Sequence, residues 1–285
     1  MKSMKIAEFQ KHILSWYKTH RRDLPWRNTK DPYKILVSEV MLQQTQVSRV
    51  LPKYKEFLKA FPTLSILARA RIKRVLKVWQ GLGYWRRALY LKEIAKIING
   101  GENKLFKVLF SKPEGLEKLP GIGPYTARAV ACFAFGNTET FLDTNIRRVY
   151  LHFFFSNKKD VSDKEILKIA QKALSSIPSH GIKLRHPRIT PREWHYALFD
   201  YGTMVLKDKK INKRSRHYNK QSAFEGSFRS FRTKLVKFLL TQKGNRAPHA
   251  TVEALLKNSS YPSKEIIASL LKDRLLKETK KWYHL

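Results

Sequence analysis

Residues 116–130 read "LEKLPGIGPYTARAV", and this stretch leaves the chain few ways to fold. Apolar and small residues recur at helical spacing on either side of a Pro-Gly-Ile-Gly turn. Pro120 ends the first helix, while Gly121 and Gly123 accept backbone angles closed to other residues. Pro124 suits the first turn of the next helix. The result is a helix, a hairpin and a second helix. Main-chain N–H groups at such a turn, beside a helix N-terminus, make an anion site. An element of this kind can grip a nucleic-acid phosphate without reading base sequence. Glycines in a helical hairpin can also serve packing alone.

The rest of the chain is read with the same helical period. Helices are expected over residues 4–18, 33–50, 51–61, 72–80 and 84–99, with "FPTLSIL" and "GLG" as breaks. Further helices start near Asp143 and cover 162–175 and 191–206. Few windows alternate with period two, so the fold class is all-α. Residues 207–220, "KDKKINKRSRHYNK", form a basic run that reads as a solvated linker or as a phosphate contact. Beyond it, residues 228–273 show three short helices, and "LLKETKKWYHL" (275–285) shows two short strands around a polar turn. That is the pattern of a winged-helix-like module, or of a small bundle bracing the body.

Charge and cysteine usage narrow the partners. The 285 residues hold 58 Lys+Arg against 22 Asp+Glu, a formal net charge of +36. Such a balance points to a polyanion, because phosphate contacts release counterions; a basic proteome, a solubility device or a membrane-surface protein would carry it too. With 42% hydrophobic residues, 6 Trp, 12 Tyr and 16 Phe, the chain is globular rather than a disordered basic tail. Cys132 is the single cysteine, which excludes an intramolecular disulfide and any all-cysteine zinc or iron–sulfur site within one chain. The nine His are scattered without ligand spacing, so no metal is expected. No apolar run is long enough to cross a bilayer and the N-terminus lacks a signal-peptide core, so a monomer in the cytoplasm or nucleoid, with no membrane partner, is expected.

Asp143 stands twenty residues after Gly123, in "FLDTNIRRV". It can be the N-cap of the next helix, a functional carboxylate, or both. The hairpin, the Gly/Pro turn and this Asp together resemble the helix-hairpin-helix DNA glycosylases of the endonuclease III superfamily. "SEVMLQQTQVSRVLPKYKEFLKAFPTL" (38–64), "VWQGLGYWRRALYL" (78–91) and "DLPWR" (23–27) narrow the resemblance to the MutY-type adenine glycosylases, over about residues 5–206.

The resemblance implies removal of adenine mispaired with guanine or 8-oxoguanine from double-stranded DNA. Glu39 matches the family's general acid, and Asp143 the carboxylate that stabilises the sugar cation. Tyr125 and Asn145 match residues beside them. Trp26, Arg27 and Leu42 match the adenine pocket. Tyr196 falls there too, where many adenine-specific members have Gln or Glu. Gln44 and Tyr84 match residues inserted into the duplex at the lesion, and Trp85 stands where a second Tyr is common. Gly121, Ile122 and Gly123 match the phosphate-binding hairpin, which often holds a monovalent cation.

The chemistry agrees with that assignment. A stacked base must be flipped out before it can be attacked. Breaking the N-glycosidic bond then asks for two carboxyl groups of opposite character, as in glycoside hydrolysis. The acid needs a raised pKa, which Val37, Val40, Met41 and Leu42 around Glu39 can supply. The other must stay ionised, and a helix N-terminus favours Asp143 as an anion. Members that also cut the strand carry Lys at the position of Tyr125, to form a Schiff base. The chain is therefore expected to be monofunctional.

Two departures from the family stand out. Most members hold a four-iron, four-sulfur cluster with four Cys, and none follow "ALFDYGTMVL" here. The chain thus resembles a clusterless branch, with Lys213, Arg214 and Arg216 as candidate replacements for the cluster loop's phosphate contacts. Residues 224–285 are too short for the Nudix-like domain that recognises 8-oxoguanine. The expected organisation is a helical subdomain at 28–135 with the hairpin, a second at 1–27 plus 136–215, and a C-terminal module at 216–285. Rival readings are a thymine or uracil glycosylase acting on G mismatches, and a non-catalytic DNA-binding protein.

Overall fold

The computed structural model describes residues 4–100, 111–177, 189–219 and 223–285. Lys220, the last residue of the basic run, lies outside them. In chain order the helices are α1 (Ile6–His20), α2 (Pro32–Leu42), α3 (Val47–Ala60), α4 (Leu64–Arg69), α5 (Ile72–Trp79) and α6 (Arg86–Asn99). They continue as α7 (Pro113–Glu117), α8 (Pro124–Phe135), α9 (Thr144–Phe154), α10 (Asp163–Ser175) and α11 (Pro191–Met204). After a 3₁₀ turn at Lys209–Arg214 come α12 (Phe228–Thr241), β1 (Arg246–Pro248), α13 (His249–Leu256), α14 (Ser263–Lys272), β2 (Lys277–Glu278) and β3 (Trp282–His284).

Two compact units are formed: Met1–Ile35 with Lys107–Lys118 and Ile122–Lys220, and Leu36–Phe106 with Leu119–Gly121 and Gln221–Leu285. This division differs from the expected grouping of 28–135, 1–27 with 136–215, and 216–285. Helix α8 joins the first unit because it packs on α11. The tail joins the second through Lys73 Nζ on the Gly244 carbonyl at 3.0 Å and Arg86 on Asp273 at 3.0 Å.

The first unit has an aromatic centre. Phe9 of α1 meets Tyr150 of α9 at 5.5 Å and Trp194 of α11 at 5.7 Å between ring centroids. All three are buried, each contributing roughly 1.5–3 kcal/mol. Capping boxes fix two helix starts: Ser162 with Glu165 for α10, and Thr190 with Glu193 for α11.

The second unit departs from the expected helices at two places. One helix was expected over 33–50 and another from Leu51. The chain instead turns at 43–46, where Gln44 adopts φ 53°, and α3 then runs through Pro52. Pro52 is the sixth residue of α3, inside the helix, so the helix gives up the hydrogen bond that an N–H there would make to the Ser48 carbonyl. "FPTLSIL" is not a simple break: Thr63 accepts from the Ile66 N–H and caps α4.

The tail has the expected three helices, plus one strand the sequence did not announce. β1 pairs with β3, and β3 with β2, all antiparallel, in the order β1-β3-β2. β1 is three residues long and ends in Pro248, too short for an alternating pattern to register. Three helices with this sheet make a winged-helix-like module.

Candidate active site

The hairpin between α7 and α8 needs Gly121 but not Gly123 on conformational grounds. Gly121 has φ +72°, and a Cβ there would sit 2.1 Å from Cδ2 of Tyr90. Gly123 is the N-cap of α8 at φ −93°, ψ 176°, and a Cβ there would meet nothing within 4 Å. That corrects the expectation for Gly123: an extended N-cap is open to any residue. Ile122 is buried, so only its main chain can serve a phosphate.

Asp143 caps α9. Its Oδ1 accepts from the N–H groups of Asn145 at 2.9 Å and Ile146 at 2.6 Å, and its Oδ2 accepts from Asn145 Nδ2 at 2.8 Å. The two readings of this residue are thus compatible: the cap exists and joins Asp143 to Asn145. Burial pushes the Asp143 carboxyl above the usual aspartate value, against those hydrogen bonds and the charge of Arg147. The expectation that the helix N-terminus would dominate is reversed in direction, because loss of solvent outweighs it. Asn145 is held from behind by α11, where Gly202 makes room: a Cβ there would lie 2.5 Å from the Asn145 carbonyl oxygen. Gly202 was not singled out in the sequence; it is a glycine inside a helix, the one available signal.

Tyr125, half-buried on α8, packs edge-on against Phe141 at 5.6 Å. Phe141 stacks on His195 at 4.1 Å with planes 9° apart. Burial drives His195 down to about 4, so its ring is neutral at pH 7, and Nδ1 lies 2.7 Å from the Pro191 carbonyl. Phe133 joins this cluster to Tyr196, at 4.6 Å.

Trp26, Arg27 and Tyr196, three of the predicted pocket residues, come together in the first unit. Trp26 and Tyr196 are buried, and the Arg27 guanidinium lies 4.4 Å from the Tyr196 ring centroid. Arg27 is committed to Asp200 by two bonds, Nη1–Oδ2 at 2.7 Å and Nη2–Oδ1 at 2.8 Å. Arg22 adds Nε–Oδ1 at 2.6 Å and its own N–H to Oδ2 at 3.0 Å. Arg27 is therefore part of the scaffold under Tyr196. Arg192 completes it: Nη1 donates to the Phe133 carbonyl at 2.7 Å, and Nη2 to those of Arg27 and Thr29 at 2.8 and 2.7 Å. Asp200 and Arg192 had no part in the sequence reading.

Glu39, Leu42, Gln44 and Tyr84 belong to the second unit. Glu39 is only 5% exposed on α2, among Val37, Val40 and Met41, while Leu42 is half-buried at the helix end. Arg87 organises the chain beyond that helix end. Its Nη1 donates to the carbonyls of Val40, Met41 and Gln43 at 2.7, 2.9 and 2.6 Å. Its Nη2 donates to Thr45 Oγ1 at 3.0 Å and the Leu82 carbonyl at 3.1 Å. One buried cation thus caps α2 and ties the turn carrying Gln44 to the "GLGY" loop carrying Tyr84. Gln44 and Tyr84 both have positive φ, 53° and 44°. Side chains avoid that region at a cost of roughly 1–3 kcal/mol, so the strain must be held by surrounding structure. Two predicted duplex-inserting residues thus share an unusual backbone and one organising arginine.

The basic run is only partly open. Lys213 is exposed, Arg214 is half-buried with Nη1 3.4 Å from the Leu151 carbonyl, and Arg216 pairs with Asp160 at 2.7 Å. No group of three or more His, Cys, Asp or Glu suited to a metal exists among the described residues. Among the same residues, no helix is long and apolar enough to cross a membrane.

Fold and hairpin define the class: this is the helix-hairpin-helix fold of the DNA glycosylases. Residues 37–176 match the HhH-GPD superfamily of base excision DNA repair proteins. Adenine DNA glycosylases are homologues of the chain. That of Mycobacterium tuberculosis (strain H37Rv) is 47% identical over 195 residues, 68% of this chain and 60% of the relative. That of Buchnera aphidicola subsp. Baizongia pistaciae is 36% identical over 203 residues, 71% of this chain and 54% of the relative. The chain thus spans little more than half the length of these curated relatives. Among solved structures, a thermostable thymine-DNA glycosylase aligns with a TM-score of 0.57 and 25% identity, over 72% of this chain and 89% of that one.

Proposed function

We propose that the protein is a monofunctional DNA glycosylase that removes adenine mispaired with guanine or 8-oxoguanine. The 47% identity over 195 residues to an adenine DNA glycosylase carries the reading. In it, the hairpin amides and Lys213 hold phosphates, a monovalent cation joins at the hairpin, and the adenine is flipped while Gln44 and Tyr84 fill the gap. Glu39 gives its proton to the purine N7. The C1′–N9 bond then breaks with its electron pair on the base. Asp143, held by Asn145, supports the positive sugar until water adds at C1′ and gives its spare proton to the Glu39 carboxylate left by the first step. The reading includes no iron–sulfur cluster, since these residues contain one cysteine.

A panel of duplexes with A, T, U or hypoxanthine, each opposite G and 8-oxoguanine, tests it. Adenine release is expected. Release of thymine or uracil alone favours the rival reading, to which Tyr196 and the thymine-DNA glycosylase likeness lend weight. Sodium borohydride is expected to trap no covalent complex, because Tyr125 has no amine for a Schiff base. Stoichiometric trapping overturns the monofunctional assignment.

The phosphate role of the basic run has its own test. Lys213→Gln should lower the slope of log affinity against log salt by about 1, uniformly across duplex sequences. Arg216→Gln should lower it less, since Asp160 already neutralises that charge. An unchanged slope for Lys213→Gln removes it from the interface.

A further inference from the structure

We propose that the C-terminal module positions Tyr84, with Arg229 and Asp273 as its positioning residues. The inference rests on the reading of Tyr84 as the residue that enters the duplex, and goes beyond it by giving the tail a part in that step.

Residues 81–84 are conformationally costly. Gly81, Gly83 and Tyr84 all have positive φ, and only the glycines adopt it freely. On one side the loop is held by its own subdomain: Arg87 reaches the Leu82 carbonyl, and Trp79 Nε1 donates to the Gly83 carbonyl at 3.0 Å. On the other side it is held by the tail. Arg229 of α12 donates Nη1 to the Tyr84 hydroxyl, and its guanidinium lies 5.4 Å from the ring centroid. Arg87 lies 5.2 Å from the same ring, so the phenol has two cations as neighbours. Two residues on, Arg86 pairs with Asp273 at the end of α14, and Arg232 of α12 pairs with that same carboxylate. Asp273 is mostly buried, which strengthens both pairs relative to exposed ones. The tail therefore grips the loop on both flanks of Trp85. A brace alone needs none of these contacts to fall on the strained residue. A ring fixed before DNA arrives loses less entropy on insertion, which raises the population of the flipped state.

Two measurements on the full chain test the proposal. The first is amide hydrogen exchange over residues 81–88 in the free protein, which does not depend on any activity. Arg229→Ala should speed it about tenfold, the size of one coupled contact, and Arg229→Lys, which keeps a donor and a cation, should restore most of it. The second is 2-aminopurine fluorescence beside the lesion, with single-turnover base release. Arg229→Ala should lower both signals about tenfold in the wild-type background and change neither further in Tyr84→Ala. Exchange that stays at the wild-type rate, or effects of the two substitutions that multiply independently, overturn the positioning role. Altered exchange in a protein that releases no base from any mismatch upholds the tail's hold on the loop and removes the proposed function instead.

Discussion

Asp143→Asn should slow base release on the order of 10³-fold under single-turnover conditions, about 4 kcal/mol of barrier, while leaving binding of mismatched duplex intact. The substitution is mild for the fold. Asn is as good an N-cap as Asp, its carbonyl can still accept from the N–H groups of Asn145 and Ile146, and the Asn145 amide must turn to offer its oxygen where Nδ2 met Oδ2. It even relieves a cost. The Asp143 carboxyl is raised in the folded protein, so its protonated form is the one folding favours. The stability of that form is present below the unfolded value and lost as pH rises through the folded value. At pH 7 the enzyme carries this penalty and the Asn variant does not. Its Tm should therefore equal or exceed that of the parent, while base release is slowed on the order of 10³-fold. The same shift sets the acid side of the pH profile: release should fall off at a pH above the ordinary aspartate value of about 3.9. Glu39→Gln should cause a comparable loss of release, because an amide has no proton of the needed acidity. A protein that only binds DNA would tighten on Asp143→Asn and lose nothing else, and that outcome would falsify the catalytic reading.

What was legible in the sequence is what local chemistry decides. The hairpin, the Asp143 cap and the helices of the tail are set by residues within a few positions of each other. What escaped is built from contacts far apart in the chain. Arg87 bonds the Val40 carbonyl 47 residues away, and Asp200 meets Arg27 at a separation of 173. Both nevertheless left a mark. Arg87 lies on the stripe of Leu91, Ile94, Ala95 and Ile98 that α6 buries, and Asp200 lies beside Ala197, Leu198 and Tyr201 on α11. A charge on the apolar face of a helix is costly unless something pairs with it, so it announces a partner without naming one. The turn at 43–46 was missed for the related reason that its stop signal is Arg87, not a Gly or Pro within the turn. Gly123 shows that a glycine's presence does not fix its angle: it sits in extended backbone that any residue adopts.

Asp200→Asn should cost the first unit about 3–5 kcal/mol, the usual consequence of removing one partner from a buried ion pair. Asp200 is fully buried and accepts four hydrogen bonds, from the Arg22 main chain and side chain and from both Arg27 terminal nitrogens. An amide fills the same space, but it puts a donor where an acceptor is needed and leaves the Arg27 guanidinium, 8% exposed, without its counter-charge. At about 2–4 °C per kcal/mol, the Tm should drop by about 10 °C. The effect should depend on pH in a defined direction. Burial would raise the Asp200 carboxyl, but Arg27 and Arg22 together hold it below the usual value. A depressed carboxyl contributes stability above its unfolded value and loses it as pH falls through the folded one, so the gap between parent and variant should be full at pH 7 and shrink only below about pH 4. The loss should also reach the site. Arg27 covers the Tyr196 ring, and with Arg192 it fixes the carbonyls around Trp26. Base release measured well below the new Tm should therefore fall as well. A variant that unfolds with the parent at pH 7 would mean that Arg27 finds water instead, and that Tyr196 owes its placement to the aromatic cluster alone.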